Sequence, residues 1–335
     1  MGQVKDSLGR PIRDLRISVT DRCNFRCKYC MPAEIFGPQY SFLPKRQILT
    51  FEEITRLAKI FSFLGTLKLR ITGGEPLLRR DLPLLVKMLC ELGEYEDIAL
   101  TTNGYLLSKY AKELFDSGLK RITVSLDSLK ETTFKYMNGG VSSVQDVAKG
   151  IEAAIGAGLC VKINVVVQKG VNEDQIIPIA EYGNNLGINT RFIEFMDVGN
   201  HNKWIEEKVF SARNILKVLK SKFSLEAIGS NYRGEVAQRY RVNGSSWEIG
   251  LISSITKPFC QDCSRARVSA DGHVFTCLFG TNGFDIRSHM RKGLDDDDLM
   301  GLISKIWAQR KDKYSEDRAL LRDNLEKVEM HHIGG

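Results

Sequence analysis

The sequence predicts an α/β fold: a partial (β/α)6 barrel of the TIM type, followed by a C-terminal extension that carries cysteines. Three observations lead there. Between residue 12 and about 196, short β-rich runs, polar loops and stretches of helical period alternate through six strands. The segments that follow those strands are DRCNFRCKYC, GGEP, NG, DS, QKGVNED and MDVGN; no GxGxxG follows the first strand, and no GxxxxGK[ST] occurs anywhere. After Gly199 the alternation stops. Polar segments after parallel strands are where barrel folds carry their chemistry, which favours a partial barrel over an open doubly wound sheet.

Strands are expected at 14–20, 67–72, 98–102, 121–126, 160–167 and 191–195, with helices near 51–64, 82–93, 107–117, 143–157 and 174–186. Phe51, Ile54, Leu57, Ala58, Phe61 and Phe63 form the apolar stripe of the first helix, and Thr50 with Glu53 reads as its capping box. Gly65, Gly118 and Gly158 stand where helices should stop. Beyond Gly199 a helix near 211–222 precedes strand-like runs at 223–228, 235–242 and 246–252, then a loop region rich in cysteine and glycine to about 284. The acidic run 295–298 suits the N-terminus of a helix at 299–310. The expected division is therefore a barrel at 1–199 and an extension at 200–335.

At 335 residues and 43% hydrophobic content the chain can bury a sizeable core, which excludes disorder and fibrous repeats. Lys and Arg number 48 against 41 acids, a net charge of +7 that suits an anionic partner. No basic run interleaved with aromatics points to nucleic acid, and no apolar run nears the roughly 20 residues of a membrane span. A cytoplasmic location is expected, with the eight thiols free or metal-bound rather than paired.

Cys23, Cys27 and Cys30 form C-x3-C-x2-C in the loop after the first strand. Three soft thiolates can surround one soft metal centre, whereas a structural zinc ion wants four ligands. This spacing, with Tyr29 before the last cysteine, resembles the signature of radical S-adenosylmethionine enzymes. The resemblance implies a 4Fe–4S cluster whose open iron binds S-adenosylmethionine, with Tyr29 at the adenine. Gly73-Gly74-Glu75-Pro76 matches that superfamily's methionine-binding motif, placing Gly74 at the cofactor, and Ser125 and Met196 match further cofactor positions.

Cys260, Cys263 and Cys277 form a second set, again one ligand short of zinc, for which His273 is the nearest fourth candidate. Arg265 and Arg267 lie two apart on an extended segment, so both guanidiniums can reach one anion. From Asp14 to Gly335 the chain resembles the GTP 3′,8-cyclase family of molybdenum cofactor biosynthesis, through ISVTDRCNFRCKYCMP, RITGGEPLLRRDL, TTNG, RITVSLDSL, NVVVQKGVNED, RFIEFMDVGN, the second triad and the Gly334–Gly335 end. Ser264 departs from the Asn more usual there.

This resemblance implies two 4Fe–4S clusters, the second binding guanine, and a 5′-deoxyadenosyl radical that removes H3′ of GTP before C3′ joins C8. It implies Thr101 at the substrate, Arg16, Arg265 and Arg267 assisting there, and the glycine tail entering the site. Arg16, Lys68, Arg70, Lys162 and Arg191 are expected at or near the C-terminal ends of strands, pointing inward toward the phosphates. A one-electron reductant and a downstream cyclic pyranopterin monophosphate synthase complete the implied partners, and a homodimer is an open alternative. The rival readings are a radical enzyme acting on a peptide or another small molecule, and a non-catalytic iron–sulfur or zinc protein. Cys90 and Cys160 are expected as packing residues.

Overall fold

Strict alternation makes the first strand two-faced. In β1 (Asp14–Ser18), Leu15 and Ile17 are buried under helices while Asp14 and Arg16 turn to the other side. The same pattern shapes β2 (Lys68–Thr72), β3 (Asp97–Thr102), β4 (Arg121–Ser125), β5 (Cys160–Val167) and β6 (Asn189–Glu194). In this computed structural model, which describes residues 4–322 and 325–334, these six strands pair in sequence order and all parallel.

Helices α1 (Phe51–Phe63), α2 (Leu82–Glu91), α3 (Leu107–Asp116), α4 (Glu131–Asn138), α5 (Val144–Gly156) and α6 (Ile176–Asn185) fill the crossovers. Thr50 and Glu53 close a reciprocal capping box on α1, which contributes about 1 kcal/mol. Ile54, Leu57, Ala58 and Phe61 on that helix are fully buried. Gly65, Gly118 and Gly158 take left-handed φ of 99°, 102° and 94° just past α1, α3 and α5, as their stop role requires. Helix α4 was not expected from the sequence.

The extension departs from expectation in where its strands go. After α7 (Ala212–Lys220), β7 (Leu225–Ile228) and β8 (Gln238–Val242) form a hairpin leading to β9 (Glu248–Ile252), which pairs parallel to β6. The cysteine-rich region then supplies β10 (Arg265–Val268), parallel to β1 on the opposite edge, followed by antiparallel β11 (His273–Phe275) and β12 (Phe284–Asp285). The parallel run is therefore eight strands long, β10-β1 to β6-β9, within a twelve-stranded sheet whose two edges do not pair among the described residues.

Helices α8 (Ile286–Arg291), α9 (Asp296–Ala308), α10 (Tyr314–Leu321) and α11 (Met330–Ile333) complete the chain. Asp295 caps α9 through the Asp298 N–H, so the acidic run lies at the helix start, three residues earlier than expected. Trp307 is buried and donates its indole N–H to the Arg10 carbonyl at 2.9 Å, which fastens α9 against the N-terminal segment. No described helix is long and apolar enough to cross a membrane.

Candidate active site

The inner face of the parallel sheet encloses a cavity of about 540 Å³. Cys23, Cys27 and Cys30 line it from the loop after β1, where Arg26 organises the backbone by donating to the carbonyls of Cys23, Phe25 and Phe36. Two further bonds, Arg26 N–H to Asn138 and Lys28 N–H to Met137, seat this loop on the end of α4. Burial pushes all three thiols up, Cys23 to about 12, and each suffers from its neighbours' charge: Glu75 for Cys23, and Cys23 for the other two. Thiols so placed ionise together only around a positive centre, which is the chemistry an iron–sulfur group supplies.

The GGEP segment reaches this loop by direct backbone contact. Gly74 N–H donates to Thr20 O and Glu75 N–H to Arg22 O, both at 2.7 Å. A Cβ on Gly74 would collide with the Arg22 carbonyl, so glycine is required there. Buried Glu75 accepts from Leu77 N–H, Thr102 Oγ1 and Asn103 N–H, and its pKa is nevertheless pushed up to about 7 by burial. Tyr29 donates its hydroxyl to Asp127 at 2.6 Å, and Asp127 also accepts from Val166 N–H at 2.8 Å. Ser125 lies in register with Asn164, and Met196 faces the cavity from the loop after β6.

The second set, Cys260, Cys263 and Cys277, lines the same cavity from its other end. The Arg13 and Asp14 amides both donate to Ser264 O, which puts Cys263 beside the start of β1, whereas Cys23 follows its end. Five residues of strand at ~3.3 Å each set the two ends roughly 16 Å apart. Ser264 is accommodated by a 2.8 Å bond from its hydroxyl to Asp14. Burial opposes ionisation of Cys263, but Arg265 and Arg310 outweigh it and hold that thiol at about 6. Burial and Asp312 push Cys277 up to about 12. His273, the zinc alternative's fourth ligand, pairs instead with Asp271 at 3.1 Å and does not line the cavity. Among the described residues no three His, Cys, Asp or Glu side chains close on a single metal ion; each thiol set faces open cavity, as a larger polynuclear group requires.

Arg16, Lys68, Arg70, Thr101, Lys162, Arg191, Arg265 and Arg267 all line the space between the two sets. Their height differs from expectation. Lys68 is the first residue of β2, Lys162 and Arg191 are the third of theirs, and Arg16 and Arg70 lie mid-strand, so the cations occupy the lower and middle lumen rather than the C-terminal rim. Burial, then mutual repulsion, pulls Arg16 and Arg70 well below the usual guanidinium range, Lys162 to about 8 and Arg267 to about 10.

Among the described residues none of these cations is neutralised by a carboxylate ion pair, whereas Arg121, missed in the sequence although it alternates with inward Thr123, forks onto Asp97. Among the described residues Arg70 donates to the hydroxyls of Thr101 and Thr123, at 3.0 and 3.4 Å. The Lys68 ammonium lies 3.0 Å from the Tyr232 ring centroid. A lumen so charged is a site for a polyanion.

The chain end enters the same space. The Gly334 carbonyl accepts from Arg267, and a Cβ on Gly334 would collide with Thr72. Gly335 lies outside the described residues. Just before it, Ile333 and His331 are buried, the latter edge-on to Phe36 at 4.8 Å. Of the two cysteines expected to pack, Cys90 is half-buried beside Gly118, but Cys160 is exposed at the start of β5.

Residues 17–183 match the radical SAM superfamily model and residues 188–316 the model described as Molybdenum Cofactor Synthesis C. The GTP 3′,8-cyclase of Staphylococcus epidermidis is 48% identical over 336 residues, covering 99% of both chains, and that of Staphylococcus haemolyticus is 48% identical over 339 residues, covering both in full. The chain belongs to the GTP 3′,8-cyclase family. S-adenosylmethionine use and iron–sulfur chemistry come with that family of radical enzymes. Among solved structures, Streptococcus suis SuiB bound to S-adenosylmethionine superposes with a TM-score of 0.63 at 16% identity, covering 88% of this chain and 68% of that one, a likeness of fold alone.

Proposed function

We propose that this chain converts GTP to 3′,8-cyclo-7,8-dihydro-GTP, the first step of molybdenum cofactor biosynthesis. The observation that carries the reading is one cavity with a three-thiol set at each end and, between them, cations that no carboxylate ion-pairs among the described residues. Cys23, Cys27 and Cys30 would hold one 4Fe–4S cluster, and Cys260, Cys263 and Cys277 a second. With S-adenosylmethionine and an electron from an external reductant, the first cluster supplies the hydrogen-abstracting radical chemistry. Tyr29, Gly74, Ser125 and Met196 would place that cofactor at the upper end.

Arg16, Lys68, Arg70, Lys162, Arg191, Arg265 and Arg267 would hold the triphosphate and, with Thr101, turn the ribose toward the upper end, an effect of orientation rather than acid–base catalysis. Gly334 would occupy a gap too narrow for a side chain and, with the tail it belongs to, keep water from the ribose. In this division of labour residues 1–199 carry the cofactor and residues 200–335 the second cluster and the tail. The cyclised product would pass to cyclic pyranopterin monophosphate synthase.

The test is anaerobic reconstitution followed by incubation with GTP, S-adenosylmethionine and a reductant. Near two clusters per chain, with 5′-deoxyadenosine and cyclised nucleotide formed only when GTP is present, are expected. One cluster, stoichiometric zinc, or 5′-deoxyadenosine independent of GTP would overturn the proposal.

A further inference from the structure

The loop after β6 serves two places at once. Met196 faces the cavity, while the next residue, Asp197, turns into a buried polar cluster. Its Oδ1 accepts from Arg318 Nε at 2.9 Å, and its Oδ2 accepts from the Tyr314 hydroxyl at 2.5 Å and from Lys327 Nζ at 3.0 Å. The Asp197 carbonyl takes a second bond from Lys327 Nζ at 2.7 Å. Asp197, Lys327 and Arg318 are 3%, 6% and 9% exposed, so these charges have been withdrawn from water and depend on one another.

The same loop grips the backbone around Lys327. Asn200 bonds it in both directions, Nδ2 to Lys327 O at 2.5 Å and Lys327 N–H to Oδ1 at 2.9 Å. The Asn200 N–H donates to Glu329 at 2.9 Å, and the left-handed Gly199 leaves for the Glu329 carboxylate the space a Cβ would fill. Val328 N–H reaches Gly280 O at 3.0 Å. Five residues beyond Glu329 comes Gly334, seated on Arg267 in the lumen.

We infer that Asp197 is a positioning residue that latches the C-terminal segment to the loop presenting Met196, so that seating Gly334 and setting Met196 in the cavity occur together. Two cations share one carboxylate: removing Asp197 strands buried charge, whereas removing Lys327 leaves the Asp197–Arg318 pair and unties the C-terminal segment from it. Coupling of this kind is reciprocal: a ligand that needs Met196 in place steadies the tail, and loosening the tail weakens that ligand by the same factor. Taking S-adenosylmethionine as the ligand rests on the function proposed above.

The experiment uses the full chain with its clusters loaded. Amide exchange at positions 327 and 328 reads the latch, and equilibrium binding of S-adenosylmethionine reads the coupling. Lys327→Met should speed that exchange about thirtyfold, less than the roughly 150-fold low end for a fully broken buried ion pair because Arg318 still neutralises Asp197. S-adenosylmethionine should slow the exchange in the unaltered chain but not in the variant. The variant's dissociation constant for it should rise by the same factor. Asp197→Asn should speed it at least as much as Lys327→Met, and the double variant should be no worse than Asp197→Asn.

Unchanged exchange in Lys327→Met would refute the latch. Faster exchange with unchanged S-adenosylmethionine affinity would refute the joint seating. If Asp197→Asn fails to fold, Lys327→Met, altered outside the barrel, decides alone. An unaltered chain that binds no S-adenosylmethionine would overturn the function reading and, with it, the joint seating, while the exchange measurement still judges the latch.

Discussion

Replacing Arg70 with Met should make the protein more stable and a worse nucleotide binder. The Arg70 guanidinium is half-buried in the lumen, its partners are two neutral hydroxyls, and Arg16, Arg121 and Arg191 repel it while Asp97 attracts it without an ion pair. Exchanging such a partly desolvated cation, repelled by three others, for an apolar side chain of similar length is stabilising, within the roughly 1–4 kcal/mol gained when buried ion pairs are replaced. Taking ~2 kcal/mol, at about 2 °C per kcal/mol for a long chain, the melting temperature of the cluster-loaded, nucleotide-free protein should rise about 4 °C. The same change deletes a charge-assisted hydrogen bond to phosphate worth about 1.5–3 kcal/mol, so GTP should bind roughly 10- to 150-fold more weakly. Thermal unfolding and equilibrium dialysis with GTP measure the two effects. A lower melting temperature without nucleotide, or GTP affinity unchanged within about twofold, would show that Arg70 serves the fold rather than an anion.

Gly334→Ala should leave cluster content unchanged but sharply reduce cyclised nucleotide, because the added methyl meets Thr72 and the φ of 73° costs a non-glycine residue about 1 kcal/mol more. Product analysis beside iron quantitation checks this. Tyr29→Phe and Asp127→Asn should each weaken S-adenosylmethionine binding about fivefold, near 1 kcal/mol, since each releases the ring from its 2.6 Å anchor; a double variant as weak as the sum of the two would refute a shared role. Burial, then His332 and Arg26, hold the His331 imidazole down at about 3, so it is neutral when docked and takes a proton once released. Stability of the docked tail should then be full above the ordinary histidine pKa near 6.5 and fall by about 1.4 kcal/mol per pH unit below it, toward 3. Amide exchange of residues 328–334 between pH 7 and 5 measures that slope, and His331→Phe should flatten it.

The six βα units were legible because their signals are local. The capping box at Thr50, the stop glycines and the alternation in β1 each act within a few residues. Helix α4 escaped notice because eight residues with two threonines and only Phe134 and Met137 as buried apolar positions show no stripe. Strands β10 to β12 are four, three and two residues long, too short for alternation to register, and the pairing of Arg265 with Asp14 joins parts of the chain that share no local pattern.

Within the site, residue types and spacing revealed both thiol sets and the inward cations. Alternation tells which way a side chain points but not how high it sits, so Lys68 and Lys162 were expected near the rim and lie near the strand starts. The roles of Asp127, Asp197 and His331 depend on tertiary partners between 39 and 295 residues away, and carry no sequence signal of their own.

The parallel ladder between β1 and β10 also sets an order of assembly. One edge of β1 pairs with β2 early, but its other edge waits for a strand encoded about 250 residues later. At ~5–20 residues per second, synthesis leaves that edge uncovered for on the order of 12–50 s. An uncovered parallel edge invites pairing with other chains. The upper thiols exist throughout this interval, while the lower set arrives at its close. A nascent chain therefore holds half a lumen, with its cations open to solvent, until that strand docks. The step most exposed to aggregation in the cell is consequently the late docking of Arg265–Val268, and a chaperone that shields β1 would act there rather than on the helices.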